Sequence, residues 1–313
     1  MSCSRRQLFR ILLIPAAILA AGWLLQTSVN CAWIIAHGNA PPSLYLCADG
    51  KGMAPAEDYV EVQIPSNLVV STHGWIEKSQ WPADLAGAIG ARVDQRQWLC
   101  GWYDWRRQAQ RVNPADVARY GRDTAGELLG EKIVALNPNW KHVHLIGHSA
   151  GSWVISEAAK IIAGETGAQI HLTFLDAYVP PFWDEQKLGD LAQDPNVRFW
   201  ADHYFTRDMT LGTTQMRLTN AHNVDLTRID PGVNDHKFPW HWYHATVAGQ
   251  YVTGRRYAGK AFFNRADGVE YGFARSLEAG AENWGKSRTL SHGNEPVTVE
   301  PAESSLVNRA NNR

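Results

Sequence analysis

The sequence predicts an α/β domain: a mostly parallel sheet with helices on both faces. Three observations carry that reading. Short apolar or β-branched runs recur at residues 67–72 (NLVVST), 97–103, 143–146, 169–175 (QIHLTFL) and 197–204. Stretches with helical spacing follow them at 81–92, 114–136 and 150–163, and a last one spans 242–253. The junctions between the two kinds of segment are compact and hold glycine or aspartate. Strands that alternate with helices need crossover connections, so neighbouring strands run parallel and helices cover both faces of the sheet.

Taken in order, residues 1–30 form a hydrophobic leader. SRRQLFR precedes an apolar stretch from Ile11 to Leu25, 15 residues long. That is the length of a signal-peptide core and short of the about 20 residues that cross a bilayer. Arg5-Arg6, set between Ser4 and Gln7-Leu8-Phe9, resembles the twin-arginine export signal of bacteria; an ordinary signal peptide or an uncleaved anchor fits the same residues. The chain is therefore expected to be exported, periplasmic or secreted, or held in the membrane by its N-terminus. Residues 31–62, rich in Pro, Gly and Ala, read as a linker.

Residues 63–258 read as one folded domain. The 67–72 strand ends at His73-Gly74, and Pro82 stands in the first turn of the helix that follows. The 97–103 strand closes at Asp104-Trp105-Arg106, and Pro114 opens the long amphipathic helix. Pro180 to Pro239 is irregular, with a short strand at 222–226, and the irregular segment 177–235 reads as a cap or the acyl-side wall. Residues 259–313 read as a polar, partly disordered tail.

The chain of 313 residues is 45% hydrophobic with a formal net charge of -1. That allows one large core and lacks the basic surface of a nucleic-acid binder. Its 14 tryptophans are mostly core residues by expectation; exposed ones would dock acyl chains or sit at a membrane interface. Cys3 and Cys31 lie in or beside the leader, leaving Cys47 and Cys100 for the body. In an oxidising compartment those two can pair; two separate buried thiols are the equal alternative.

The chemistry centres on Gly147-His148-Ser149-Ala150-Gly151, which fits Gly-x-Ser-x-Gly with a strand running in and a helix running out. The sharp turn lifts the serine hydroxyl above the sheet edge and demands small neighbours. A serine that merely caps a helix is the plain alternative. A serine nucleophile needs a base, and its tetrahedral oxyanion needs preformed donors. The N–H of Ala150, at a helix start, and that of Trp75, in the loop after the 67–72 strand, are the candidate oxyanion hole. Asp176 ends the next strand and is the candidate acid, with Asp202 and Asp208 as alternatives. The base comes from His222, His236, His241 or His244; His236, on the loop before the last helix, is the leading candidate. His241 and His244 have a spacing that could bind a metal, but nothing nearby completes a ligand set. His73 and His148 flank the serine, either tuning the site or serving as ordinary structural histidines.

These residues resemble the α/β-hydrolase superfamily and, within it, the pancreatic-type lipases and related serine esterases, over residues 66–252. VVSTHGW is similar to their oxyanion loop, YDWR at 103–106 to their strand ending in Asp-Trp-Arg, and LDAYVP to their acid-bearing turn. VHLIGHSAG matches their nucleophile turn, and HKFPWHWY resembles their histidine loop. The resemblance implies an α/β-hydrolase fold, a Ser149, His236, Asp176 triad and no cofactor or metal. Ala177 stands where those lipases usually have proline, and neither their cysteine-rich lid nor a calcium loop has a counterpart.

The expectation is a serine hydrolase of carboxylic esters, lipase or esterase-like, acting on small-molecule or lipid esters. An amidase or peptidase would use the same triad. A silent, envelope-tethered binding protein would keep the fold without turnover, and a metallohydrolase would use the histidine cluster instead.

Overall fold

The computed structural model describes residues 41–47, 52–59, 64–207, 214, 216–228, 236–248, 263–264, 269–273, 288–291 and 297–298. The leader, Cys3, Cys31 and the alternative acid Asp208 lie outside the described residues.

β1 (Ser43–Cys47) and β2 (Met53–Pro55) lead to β3 (Asn67–Thr72), α1 (Trp81–Gly90) and β4 (Trp98–Asp104). α2 (Pro114–Tyr120) is capped by the Asn113 side chain, which accepts from Ala115 N–H, and passes through a π turn, Gly121–Ala125, into α3 (Gly126–Leu136). Next come β5 (His142–His148), α4 (Gly151–Glu165), β6 (Gln169–Leu175), β7 (Phe199–Phe205), β8 (His222–Arg228) and α5 (Phe238–Ala248). Four short strands follow: β9 (Phe263–Asn264), β10 (Val269–Glu270), β11 (Arg288–Ser291) and β12 (Val297–Thr298).

Among the described residues the main sheet has the order β11-β8-β7-β6-β5-β3-β4-β1-β2. Every neighbouring pair from β11 to β4 is parallel, and β1 and β2 close one edge antiparallel. This is the strand arrangement of the α/β-hydrolase fold. The chain steps outward from β3 to β4, then crosses back to place β5 on the other side of β3. At such a switch point the loops after adjacent strands diverge and open a crevice at their carboxyl ends.

Alternation along the strands splits the core in two. Leu68, Val70, Val143 and Leu145 face one side, packing with Val117, Leu129, Ile133 and Trp153 of α2, α3 and α4. Val69 and Ile146 face the other, with Trp81 and Leu85 of α1 and Trp242 and Tyr243 of α5.

Three boundaries differ from the sequence-based expectation. The 31–62 linker contains two strands of the main sheet, β1 and β2. The sequence SLYLC in β1 alternates half-buried and buried residues, a period-2 signal masked by the Pro and Gly on either side. The folded domain does not end at 258 either: Tyr271 and Phe273 are buried in the α1/α5 core and β11 pairs with β8, although the tail is polar around them. The last helix also starts earlier than 242, at Phe238. Pro239 stands in its first turn, where proline is tolerated because its missing N–H has no helical partner to lose.

Candidate active site

Ser149 sits just past β5. Its N–H donates to the Leu175 carbonyl at 3.0 Å, and its own carbonyl accepts from Ser152 and Tyr178 N–H at 3.0 and 3.2 Å. These bonds hold a left-handed backbone, φ +54°, that a non-glycine residue adopts only where its surroundings impose it. The turn is tight enough that a β-carbon on Gly147 would lie 2.7 Å from the Gly151 carbonyl oxygen.

Asp176 sits just past β6 with φ +48° and is fully buried. Its N–H donates to the Tyr204 carbonyl at 2.8 Å, and Oδ1 accepts from Thr206 N–H at 2.9 Å. Oδ2 is hydrogen-bonded to Nδ1 of His236. A carboxylate only accepts, so Nδ1 carries the proton and Nε2 is left as a proton acceptor. His236 lies in the turn ahead of α5 with its side chain 17% exposed, so that nitrogen can be reached.

The β3 loop approaches the same turn. A β-carbon on Gly74 would stand 2.7 Å from Ser149 Cβ, 2.8 Å from the His148 carbonyl oxygen and 3.2 Å from Ala150 N, so only glycine fits. Among the described residues neither Trp75 N–H nor Ala150 N–H donates a hydrogen bond to the protein, leaving both available. The His73 ring is pinned on both nitrogens. Nε2 accepts from Trp105 N–H at 3.2 Å, so Nδ1–H donates to the Gly74 carbonyl at 2.9 Å. That carbonyl shares a planar peptide with Trp75 N–H, which therefore points the opposite way. The Trp75 indole, donating to the Arg111 carbonyl at 2.6 Å, fastens the loop from its other side.

Strain concentrates here. Among the described residues the non-glycine residues with positive φ are Ile76, Ser149, Asp176 and Phe182: three in the turns just described and one in the cap segment. Such outliers collect at functional sites because packing elsewhere must hold them.

The remaining candidates have other employment. Asp202 is mid-strand in β7, fully buried, and accepts from His171 at 2.8 Å and from the Thr173 and Tyr204 hydroxyls at 3.2 Å each. His241 stacks on Trp240 and His222 on Tyr271, at ring distances of 3.7 and 6.1 Å. His244 is buried in α5, and that burial lowers its pKa although the Asp84 carbonyl and carboxylate draw it back. His148 is held neutral: burial, then the neighbouring His236, pushes its pKa well below the ordinary histidine value. Its Nε2–H donates to the His236 carbonyl at 3.0 Å and its ring lies 4.6 Å from that of His236, steadying the histidine turn. Among the described residues no group of three His, Cys, Asp or Glu side chains is placed to hold a metal ion.

Two supports were not legible in the sequence. Thr206 acts through its backbone N–H on Asp176. His203, whose Nδ1–H donates to Asn223 Oδ1 at 3.1 Å, accepts Ala177 N–H on Nε2 at 3.2 Å and so braces the residue after the acid. Of the aromatics in the cap segment, Tyr178 is buried and Trp183 half-buried against Trp153 and Arg122, while Phe182 is fully exposed.

No protein-family model matches the chain. Pancreatic lipase-related protein 2 of Homo sapiens is 28% identical over 135 residues, which is 42% of this chain and 27% of that protein. The Sus scrofa protein of the same name is 29% identical over 136 residues, with the same coverage. The chain thus spans about a quarter of the length of the curated relatives it matches. A crystal structure of a poly(3-hydroxybutyrate) depolymerase from Bordetella parapertussis aligns with a TM-score of 0.34 and 11% identity, covering 62% of this chain and 81% of that one. By its strand order the chain has the α/β-hydrolase fold, and in sequence it is distantly similar to the pancreatic lipase-related proteins.

Proposed function

We propose that the chain is a serine hydrolase of carboxylic esters, exported or held at the membrane by its leader. The observation that carries the reading is the Asp176–His236 hydrogen bond at the sheet edge where Ser149 is held in its strained turn. In this reading Ser149 Oγ attacks the ester carbonyl carbon while His236 Nε2 takes its proton. The negative charge on the carbonyl oxygen is received by Trp75 and Ala150 N–H, and Asp176 steadies the imidazolium. The intermediate collapses, the C–O bond to the alcohol breaks, and His236 returns the proton to the leaving oxygen. Water, activated by the same histidine, then hydrolyses the acyl-Ser149. No cofactor or metal takes part.

The distant relatives are lipase-related proteins by name, which supports esters as the substrate class. Phe182, exposed in the segment that follows the acid turn in sequence, supports an apolar acyl or alcohol group, from a small-molecule or a lipid ester. The test is a panel of p-nitrophenyl esters of graded chain length against the matching anilides. Turnover of esters with slow or absent cleavage of anilides is expected. Preferential anilide cleavage would favour an amidase, and a folded chain inert to every ester would overturn the reading.

A further inference from the structure

β1 and β4 run antiparallel, with Tyr45 opposite Trp102 and Leu46 opposite Gly101. One more step in this register sets Cys47, the last residue of β1, opposite Cys100 in β4. Side chains alternate along a strand, so both sulfurs lie on the face that carries the Tyr45 and Trp102 rings, which stack at 5.1 Å. Directly opposed residues of an antiparallel pair have Cα atoms about 4.5 or 5.5 Å apart, and both spacings suit a disulfide. Cys47 is half-buried, Cys100 buried, and both are free thiols lining one small cavity with Tyr59 and Trp98. Gly90 of α1 stands over the pair without crowding it: a β-carbon there would be 3.9 Å from Cys100 Sγ.

We propose that Cys47 and Cys100 form an oxidation site, which a small-molecule disulfide converts to a cross-strand disulfide that pins the β1–β2 edge to β4. The Cys47 thiolate attacks one sulfur of the oxidant, whose S–S bond breaks and releases one thiol. Cys100 then loses its proton and attacks Cys47 Sγ, displacing the second thiol. Two protein thiols are oxidised by two electrons, and one oxidant disulfide is reduced to two thiols. Burial, with Cys47 alongside, pushes the Cys100 thiol up to about 12, so the half-exposed Cys47 attacks first and Cys100 resolves the mixed disulfide. β4 leads directly to Trp105, whose N–H pins His73. Fastening β1 to β4 therefore stiffens the strand behind the Gly74-Trp75 loop.

The full chain is treated with glutathione disulfide, remaining thiols are alkylated, and the digest is mapped by mass spectrometry without reduction. A Cys47–Cys100 linked peptide pair is expected, with a melting temperature about 5–10 °C above that of the reduced chain. Cys47→Ser should abolish that shift. Full alkylation of both thiols, a glutathione adduct that stays on Cys47, or a Cys47 link to Cys3 or Cys31 would overturn the proposal. The peptide map needs no variant, and its outcome does not depend on whether the chain cleaves esters.

Discussion

Ser149 and Asp176 stand side by side, each one step beyond the last β5–β6 pair, His148 opposite Leu175, and both hold left-handed backbone. The parallel ladder thus delivers a hydroxyl and a carboxylate to the same sheet edge, and the turn ahead of α5 sets His236 against the Asp176 carboxylate. Consequences of this placement can each be measured.

Asp176→Asn keeps an acceptor for Thr206 N–H but no longer fixes the proton on His236 Nδ1. A fall in kcat of about 10³ to 10⁴-fold is expected, with an unchanged circular dichroism spectrum. Activity within a few-fold of wild type in a folded variant would remove Asp176 from the triad.

His73→Phe removes the donor that holds the Gly74 carbonyl and leaves the Trp75 N–H free to turn away. The expected loss is about 10²-fold in kcat with KM little changed, because an oxyanion donor acts only once charge develops. His73→Gln, which restores a donor amide, should recover part of it. An equal effect on KM alone, or no effect, would contradict the positioning role.

Several histidines are buried and neutral. Burial lowers His142 and His203 to about 4, and lowers His144 and His148 well below the ordinary 6.5. The unfolded chain takes up protons below about 6.5 that the folded chain cannot, so stability is highest above that pH and falls as pH drops through it. Each such group contributes up to about 1.4 kcal/mol per pH unit of fall. Urea titrations from pH 8 to 5 should show the decline beginning near 6.5; a flat profile down to pH 5 would contradict it.

Phe182 is fully exposed and strained at φ +68°, so it contributes little packing. Phe182→Ala should leave the melting temperature unchanged while lowering kcat/KM for long-chain esters about five-fold relative to acetate. Equal losses on both esters would detach Phe182 from substrate selection.

Much of this site was written locally. Ser149 is marked by the glycines its turn requires, and Asp176 by its place at the end of an apolar strand. His236 is not local: four histidines fall between residues 222 and 244, and only the turn ahead of α5 sets one of them against Asp176. Asp202 illustrates the same limit, since a carboxylate in a strand looks alike whether it faces the site or, as here, a buried histidine. The support at Thr206 acts through its backbone N–H, which leaves no side-chain pattern, and that at His203 joins its ring to the backbone N–H of Ala177, a residue far from it in sequence. At the edge of the sheet, the SLYLC alternation of β1 was present but too short to outweigh the Pro and Gly around it.

The most direct measurement is labelling of the full chain with a fluorophosphonate probe, which forms a covalent adduct only with an activated serine. Wild type should label at Ser149, Ser149→Ala not at all, and His236→Ala at a rate lower by several orders of magnitude, with His241→Ala and His244→Ala close to wild type. A folded wild-type chain that does not label, or a Ser149→Ala chain that labels equally, would contradict Ser149 as the nucleophile.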